Sequence, residues 1–156
     1  MKTRTALAFL VVFLAGIGIG LAAETDLTMQ MGTWKLNESK SKFAPGAAKN
    51  TTVVYAPAGD NMVKVTTEGV DKAGKPTHSE WTGKFDGKDY PVTGSDTQDM
   101  RSYTIVGKHS LSLTVKKVGK TTATGKISVS ADGKTRTLTT TGDDPSMNNT
   151  AVYDKQ

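Results

Sequence analysis

The sequence predicts an all-β chain, an antiparallel up-and-down barrel of about eight to ten strands behind an N-terminal signal helix. Three observations carry that expectation. Turn residues recur at short intervals along almost the whole chain. The segments between them are rich in Thr and Val, and several alternate apolar with polar at period two. The chain has no Cys, so a small domain must hold by its core and strand pairing alone.

The first 23 residues stand apart. Lys2 and Arg4 make a basic start, an apolar run broken only by Gly follows over 6–23, Ala22 and Ala23 close it, and the chain turns polar at Glu24. That is the pattern of a secretory signal peptide. It implies a leader at 1–23, a barrel domain at 24–156, and a periplasmic or secreted location. Cleavage after Ala22 puts Gly20, rather than Leu21, where a small residue is preferred. A retained anchor is the alternative, because the run is about long enough to span a bilayer. The small-residue end, with no cationic stop after it, favours cleavage. The absence of Cys excludes a lipid-modified lipoprotein.

The remaining chain divides at its turn signals into strands expected at 32–37, 50–56, 62–70, 77–85, 90–93, 97–106, 110–118, 121–130, 135–141 and 149–154. Asp86-Gly87-Lys88 and Asp132-Gly133-Lys134 are the strongest hairpin signals. The one long non-strand link is 38–49, with room for a turn of helix. Leu111, Leu113 and Val115 oppose Ser112, Thr114 and Lys116; Val63 and Val65 oppose Lys64 and Thr66; Ile127 and Val129 oppose Lys126 and Ser128. Short links favour antiparallel neighbours. Curling a row of such strands into a barrel removes its two unpaired edges.

The formal charge of +5 falls with the leader: 20 basic residues less Lys2 and Arg4 leave 18 against 15 acidic, or +3. The lysines are scattered and aromatic residues make up 6% of the chain, so no nucleic-acid partner is expected. The only membrane contact expected is the leader's before cleavage, and a monomer is expected.

The start of the mature chain reads Gly32-Thr33-Trp34-Lys35-Leu36-Asn37, then Ser39-Lys40-Ser41-Lys42-Phe43. Gly-x-Trp on a first strand resembles the first signature of the lipocalins. With Lys84-Phe85-Asp86-Gly87-Lys88-Asp89-Tyr90, Val129-Ser130-Ala131-Asp132-Gly133-Lys134 and the ending Asn149-Thr150-Ala151-Val152-Tyr153-Asp154, the chain resembles small exported bacterial proteins with lipocalin-like domains and no assigned activity. The resemblance implies that Trp34 plugs one barrel end under an Arg from a late strand, here Arg136. The second lipocalin signature, with its Thr-Asp-Tyr core, is absent, so Arg136 carries over only loosely.

No catalytic set converges: there is no nucleophile elbow, no Cys–His pair and no phosphate loop, so an enzyme is not expected. No cofactor is implied. His78 and Glu80 share the polar face of one strand, but a metal site needs a third ligand that no spacing supplies, so no metal is expected. Asp96 with Asp99, and Asp143 with Asp144, read as solvated loops rather than calcium ligands. Three sequons, at Asn37, Asn50 and Asn148, matter only in a host that glycosylates.

Four residues point to a ligand. Trp81 and Phe85 share a face with the small residues Ser79 and Gly83, which leaves space for a guest or for core packing. Arg101 and Tyr103 share a face of the 97–106 strand; if it is the inner one, Arg101 needs an anion or a carboxylate partner. The alternative is that Met100, Ser102 and Thr104 face inward. The function expected first is binding of a small apolar or amphipathic molecule by Trp81, Phe85, Arg101 and Tyr103. The second is a structural or protein-interaction domain of the cell envelope with a filled barrel and no ligand.

Overall fold

The computed structural model describes residues 27–156, so the leader expected at 1–23 lies outside the described residues. Ten strands follow one another: β1 (Gly32–Leu36), β2 (Lys49–Pro57), β3 (Val63–Val70), β4 (Pro76–Gly83), β5 (Tyr90–Thr93), β6 (Met100–Gly107), β7 (Ser110–Lys117), β8 (Lys120–Val129), β9 (Thr135–Gly142) and β10 (Asn149–Lys155). Each pairs antiparallel with its neighbour in sequence, and β1 pairs with β10, so the sheet closes on itself. Closure leaves no free sheet edge, the outcome expected for a row of strands with one apolar face. Helical structure among the described residues is confined to single 3₁₀ turns at Leu27–Gln30, Glu38–Lys40 and Pro145–Met147.

The meander sorts the connections into two ends. The turns after β2, β4, β6 and β8 gather with the 27–31 segment at one end. The links after β1, β3, β5, β7 and β9 gather at the other. The first end is plugged. Trp34 is fully buried, and its indole N–H donates to the Gln30 carbonyl at 2.9 Å. The Gln30 side chain in turn donates to the His109 carbonyl at 3.3 Å, tying the 27–31 segment to the β6–β7 turn. Gly32 has φ +108°, and a Cβ there would come within 3.0 Å of the Lys155 side chain. That side chain lies over the Trp34 ring, with Nζ 5.1 Å from its centre. Glycine two residues before Trp34 is thus needed for its left-handed backbone, and a larger residue there would also have to push the Lys155 side chain aside.

Two strands differ from the sequence expectation by more than one residue at an end, for one reason. β4 stops at Gly83 rather than 85, and β6 starts at Met100 rather than 97. Between them β5 has four residues and two paired positions on each side, and Pro91 in it has no N–H for a ladder. The chain bridges the gap by other bonds. Gly87 N–H donates to the Tyr103 carbonyl at 2.8 Å, and Asp86 pairs with Thr104. The Trp81 indole N–H reaches past β5 to the Arg101 carbonyl at 2.9 Å. Asp99 anchors the start of β6: its N–H donates to the Lys116 carbonyl at 3.0 Å, and its carboxylate accepts the Val118 N–H at 2.7 Å.

The core follows the period-two pattern. Val63 and Val65, Ser79, Trp81 and Gly83, Leu111 and Leu113, and Ile127 and Val129 all point inward. Trp81, Phe85, Tyr55 and Tyr103 form one aromatic cluster, with Trp81 stacked on Phe85 and Tyr103 edge-on to Trp81 at 4.8 Å between centres.

Candidate functional site: two arginines in the barrel

β6 settles which of its faces is inside. Arg101 and Tyr103 are buried while Met100 and Thr104 are exposed. Ser102 is also buried, although its alternation puts it on the other face. Arg101 therefore points into the barrel, where it meets a second arginine, Arg136 of β9, only 2% exposed. Both line an internal chamber of about 130 Å³, together with Tyr55, Tyr103, Thr67 and Gln98. Gln98, Val115 and Thr140 also line a wider vestibule of about 400 Å³ at the open end, beside Ala73, Ala123 and Met147. The chamber thus continues into the mouth of the barrel.

A polar chain runs through the chamber. Arg101 Nη1 donates to the Tyr103 hydroxyl at 3.1 Å. Tyr103 lies edge-on to Tyr55 at 6.4 Å between ring centres, and the Tyr55 hydroxyl accepts from Arg136 Nη2 at 2.7 Å. Burial pushes the Tyr55 hydroxyl far above the ordinary tyrosine range, against the opposing pull of Arg136. Burial raises Tyr153 as well. Both phenols therefore stay neutral and can only share protons, not supply negative charge.

The charges in this chain do not balance. A guanidinium carries its charge at any physiological pH. The buried polar and charged residues among those described are Gln30, Thr67, Ser79, Arg101, Ser102 and Arg136, with no Asp or Glu among them. Neither arginine forms an ion pair with a described carboxylate. Arg101 has a neutral substitute, since Nε and Nη2 donate to the Gln98 amide oxygen at 3.2 and 2.9 Å. Arg136 lies over the rings of Tyr55 and Tyr153, 5.1 and 5.2 Å from their centres, and its Nε and Nη1 have no hydrogen-bond partner. Ring faces attract a cation but do not satisfy its N–H groups.

The other residues singled out in the sequence fall as follows. Trp81 and Phe85 are buried and pack behind Tyr103, in the wall of the site rather than in its lining. The space above Gly83 is occupied by the rings of Trp81 and Tyr90, which a Cβ would meet at 2.6 and 2.5 Å. The cation over Trp34 is Lys155, and Arg136 takes Tyr55 and Tyr153 instead. The register explains the exchange: Lys155 pairs directly with Trp34 across β1 and β10, whereas Arg136 pairs with Tyr153 across β9 and β10. His78 is on the outer face, its Nδ1 2.6 Å from Glu68 and its Nε2 3.8 Å from Glu80. No group of three or more His, Asp or Glu suited to a metal ion occurs among the described residues. Sequence reasoning missed Gln98 and Tyr55 as members of the site. Tyr55 carried a signal, an aromatic residue in phase with Val53 on a β-rich strand; Gln98, in a loop, carried none.

No family model matches the chain, and no curated protein matches it. Among solved structures the chain is similar to the fluorescent protein UnaG. The wild type and a point mutant each superpose with a TM-score of 0.59 at 18% identity, covering 83% of this chain and 99% and 98% of theirs. The likeness is one of fold: a ten-strand antiparallel closed barrel.

Proposed function

We propose that this protein is a non-enzymatic binding protein that takes up a small amphipathic anion, such as a carboxylate, inside its barrel. One observation carries the reading: Arg136 is buried beside the chamber with two N–H groups that have no partner, and no acidic residue to neutralise it, among the described residues. An uncompensated buried cation is costly, and the chamber leaves room for an anion to remove that cost. A cavity of about 150 Å³ holds benzene. The 130 Å³ chamber therefore suits the head and first carbons of a ligand, with its apolar body in the vestibule. Arg136 and Tyr55 hold the head, and Val115, Ala123 and Met147 flank the body. The leader-like segment at 1–23 and the Gly32-Thr33-Trp34 opening support an exported, lipocalin-like protein. The closed sheet, which offers no edge for pairing, supports a monomer.

Titration calorimetry with octanoate and with 1-octanol tests the reading. Octanoate binds and octanol binds more weakly. Arg136→Met lowers octanoate affinity by about tenfold to a hundredfold, the worth of a charge-assisted hydrogen bond. It leaves the melting temperature unchanged or raised, because a buried cation is gone. Binding of neither probe by the wild-type protein would return the barrel to the filled, structural alternative.

A further inference from the structure

Gln98 occupies an unusual place. It belongs to the 94–99 link between β5 and β6, at the mouth, and it lines both the chamber and the vestibule. Its amide oxygen is the acceptor for two of the three recorded side-chain donations of Arg101. A guanidinium with 7% exposure would ordinarily be met by a carboxylate in a two-pronged pair. Here it is met by a neutral side chain, which gives it hydrogen bonds but no countercharge.

The link that carries Gln98 is held at both ends and free of backbone pairing between them. At one end Gly94 has φ +76° and sits so close to the His78 carbonyl that a Cβ would lie 2.8 Å from it. At the other end Asp99 is bound to β5 and β7 through its backbone: the Val92 N–H donates to its carbonyl at 2.9 Å, and its own N–H donates to Lys116 at 3.0 Å. In the segment between, Ser95 and Thr97 bond only to each other's side chain or backbone. Gln98 can thus leave Arg101 by turning its own side chain, without breaking the barrel's ladder.

We propose that Gln98 is the gate of the chamber: its neutral amide caps Arg101 when the barrel is empty, and the anionic head of an entering ligand displaces it. This rests on the reading of the chamber as an anion site. The exchange is favourable because a charged acceptor replaces a neutral one on the same guanidinium. A carboxylate at position 98 would have closed the site permanently. The amide favours anions over neutral molecules, since a neutral ligand gains nothing by displacing it. Past the exposed Lys72 of the vestibule, Arg101 is the buried cation that Gln98 covers, and the rings of Tyr103 and Tyr55 lie between it and Arg136.

The experiment uses octanoate and 1-octanol as probes, with calorimetry for affinity and stopped-flow mixing for rates. Gln98→Glu supplies Arg101 with its own carboxylate; octanoate affinity falls by about tenfold or more while octanol affinity is unchanged. Gln98→Ala removes the cap that the ligand must displace; octanoate enters at least about fivefold faster and its affinity rises rather than falls. Both variants are partly exposed loop substitutions, and unchanged melting curves establish that they fold. Wild-type binding of octanoate with the same affinity and rates in both variants would overturn the gate and leave the anion site standing. No octanoate binding by the wild-type protein would overturn both.

Discussion

The closed end and the mouth of this barrel are built from the same ten strands and have opposite chemistry. At the closed end the inward residues are Trp34, Trp81, Phe85, Leu111, Ile127 and Val129, all buried against one another. Toward the mouth the inward residues are Thr67, Gln98, Arg101 and Thr140, around a chamber that keeps its space. The alternation along each strand is the same at both ends; only the residue type on the inner face changes. Close packing at one end supplies cohesion, and the chamber beyond it can then keep its space, with Arg136 at its floor beside Val129 and Arg101 nearer the mouth. The difference teaches that stability and recognition divide along the barrel axis rather than between faces of the sheet.

The largest expected effect comes from breaking the closed end. Trp81→Ala removes a ring stacked on Phe85 and a hydrogen bond that crosses the narrow β5 strand. It should cost about 3–5 kcal/mol in urea unfolding, the range for deleting a buried large aromatic. A loss well under 1 kcal/mol would mean that the aromatic cluster is not what holds the β4–β6 seam.

A smaller effect at the mouth has the opposite sign. Val118, at the β7–β8 turn, is 84% exposed with φ +49°. A β-branched residue in that conformation is strained, whereas Asn adopts it readily. Val118→Asn should raise unfolding stability by about 1 kcal/mol with no change in ligand affinity. A fall in stability would show that Val118 makes a contact which outweighs its backbone strain.

The smallest effect is pH-dependent. Lys72 and Asp144 form an ion pair at 2.5 Å that links the β3–β4 and β9–β10 connections across the mouth. The Lys72 ammonium, aided by the Ser146 N–H, lowers the Asp144 carboxyl from 3.8 to about 2. A carboxyl whose folded value is depressed contributes stability above its unfolded value. That contribution is lost as pH falls from 3.8 through about 2. Melting curves of Asp144→Asn and the wild-type protein should therefore differ at neutral pH and converge over that window. The pair is exposed, so the gap should be slight and shrink with added salt. A constant gap at all pH values would assign the effect of the substitution to the Pro145 turn instead.

Much of this fold is legible before any coordinates. Turn chemistry marks where strands end, and period-two alternation marks which side of each faces in, because both depend on neighbouring residues alone. The inward face of β4, with Ser79, Trp81 and Gly83, follows from that pattern. The failures also have a common cause. Phe85 reads as strand because it continues the phase of Trp81, but the Asp86–Gly87 loop bonds directly to β6 and takes the chain out of the ladder. The space inferred above Gly83 is filled by Tyr90, a residue that sequence distance alone cannot place there.

By itself, then, the sequence determined that the described chain is a meander of antiparallel strands with one apolar face, since period and turn type are local properties. It also determined that Arg101 needs a negative or polar partner if it faces inward, because desolvating a charge is costly wherever it happens. The tertiary structure alone decided that Arg101 does face inward. It also decided that Gln98 caps it, that Arg136 lies beside Tyr55 and Tyr153 while Lys155 covers Trp34, and that no buried carboxylate among the described residues answers either arginine. These depend on register and closure, which bring β2, β6 and β9 to face one another across the barrel. Residues far apart in sequence become neighbours only when the last strand pairs with the first.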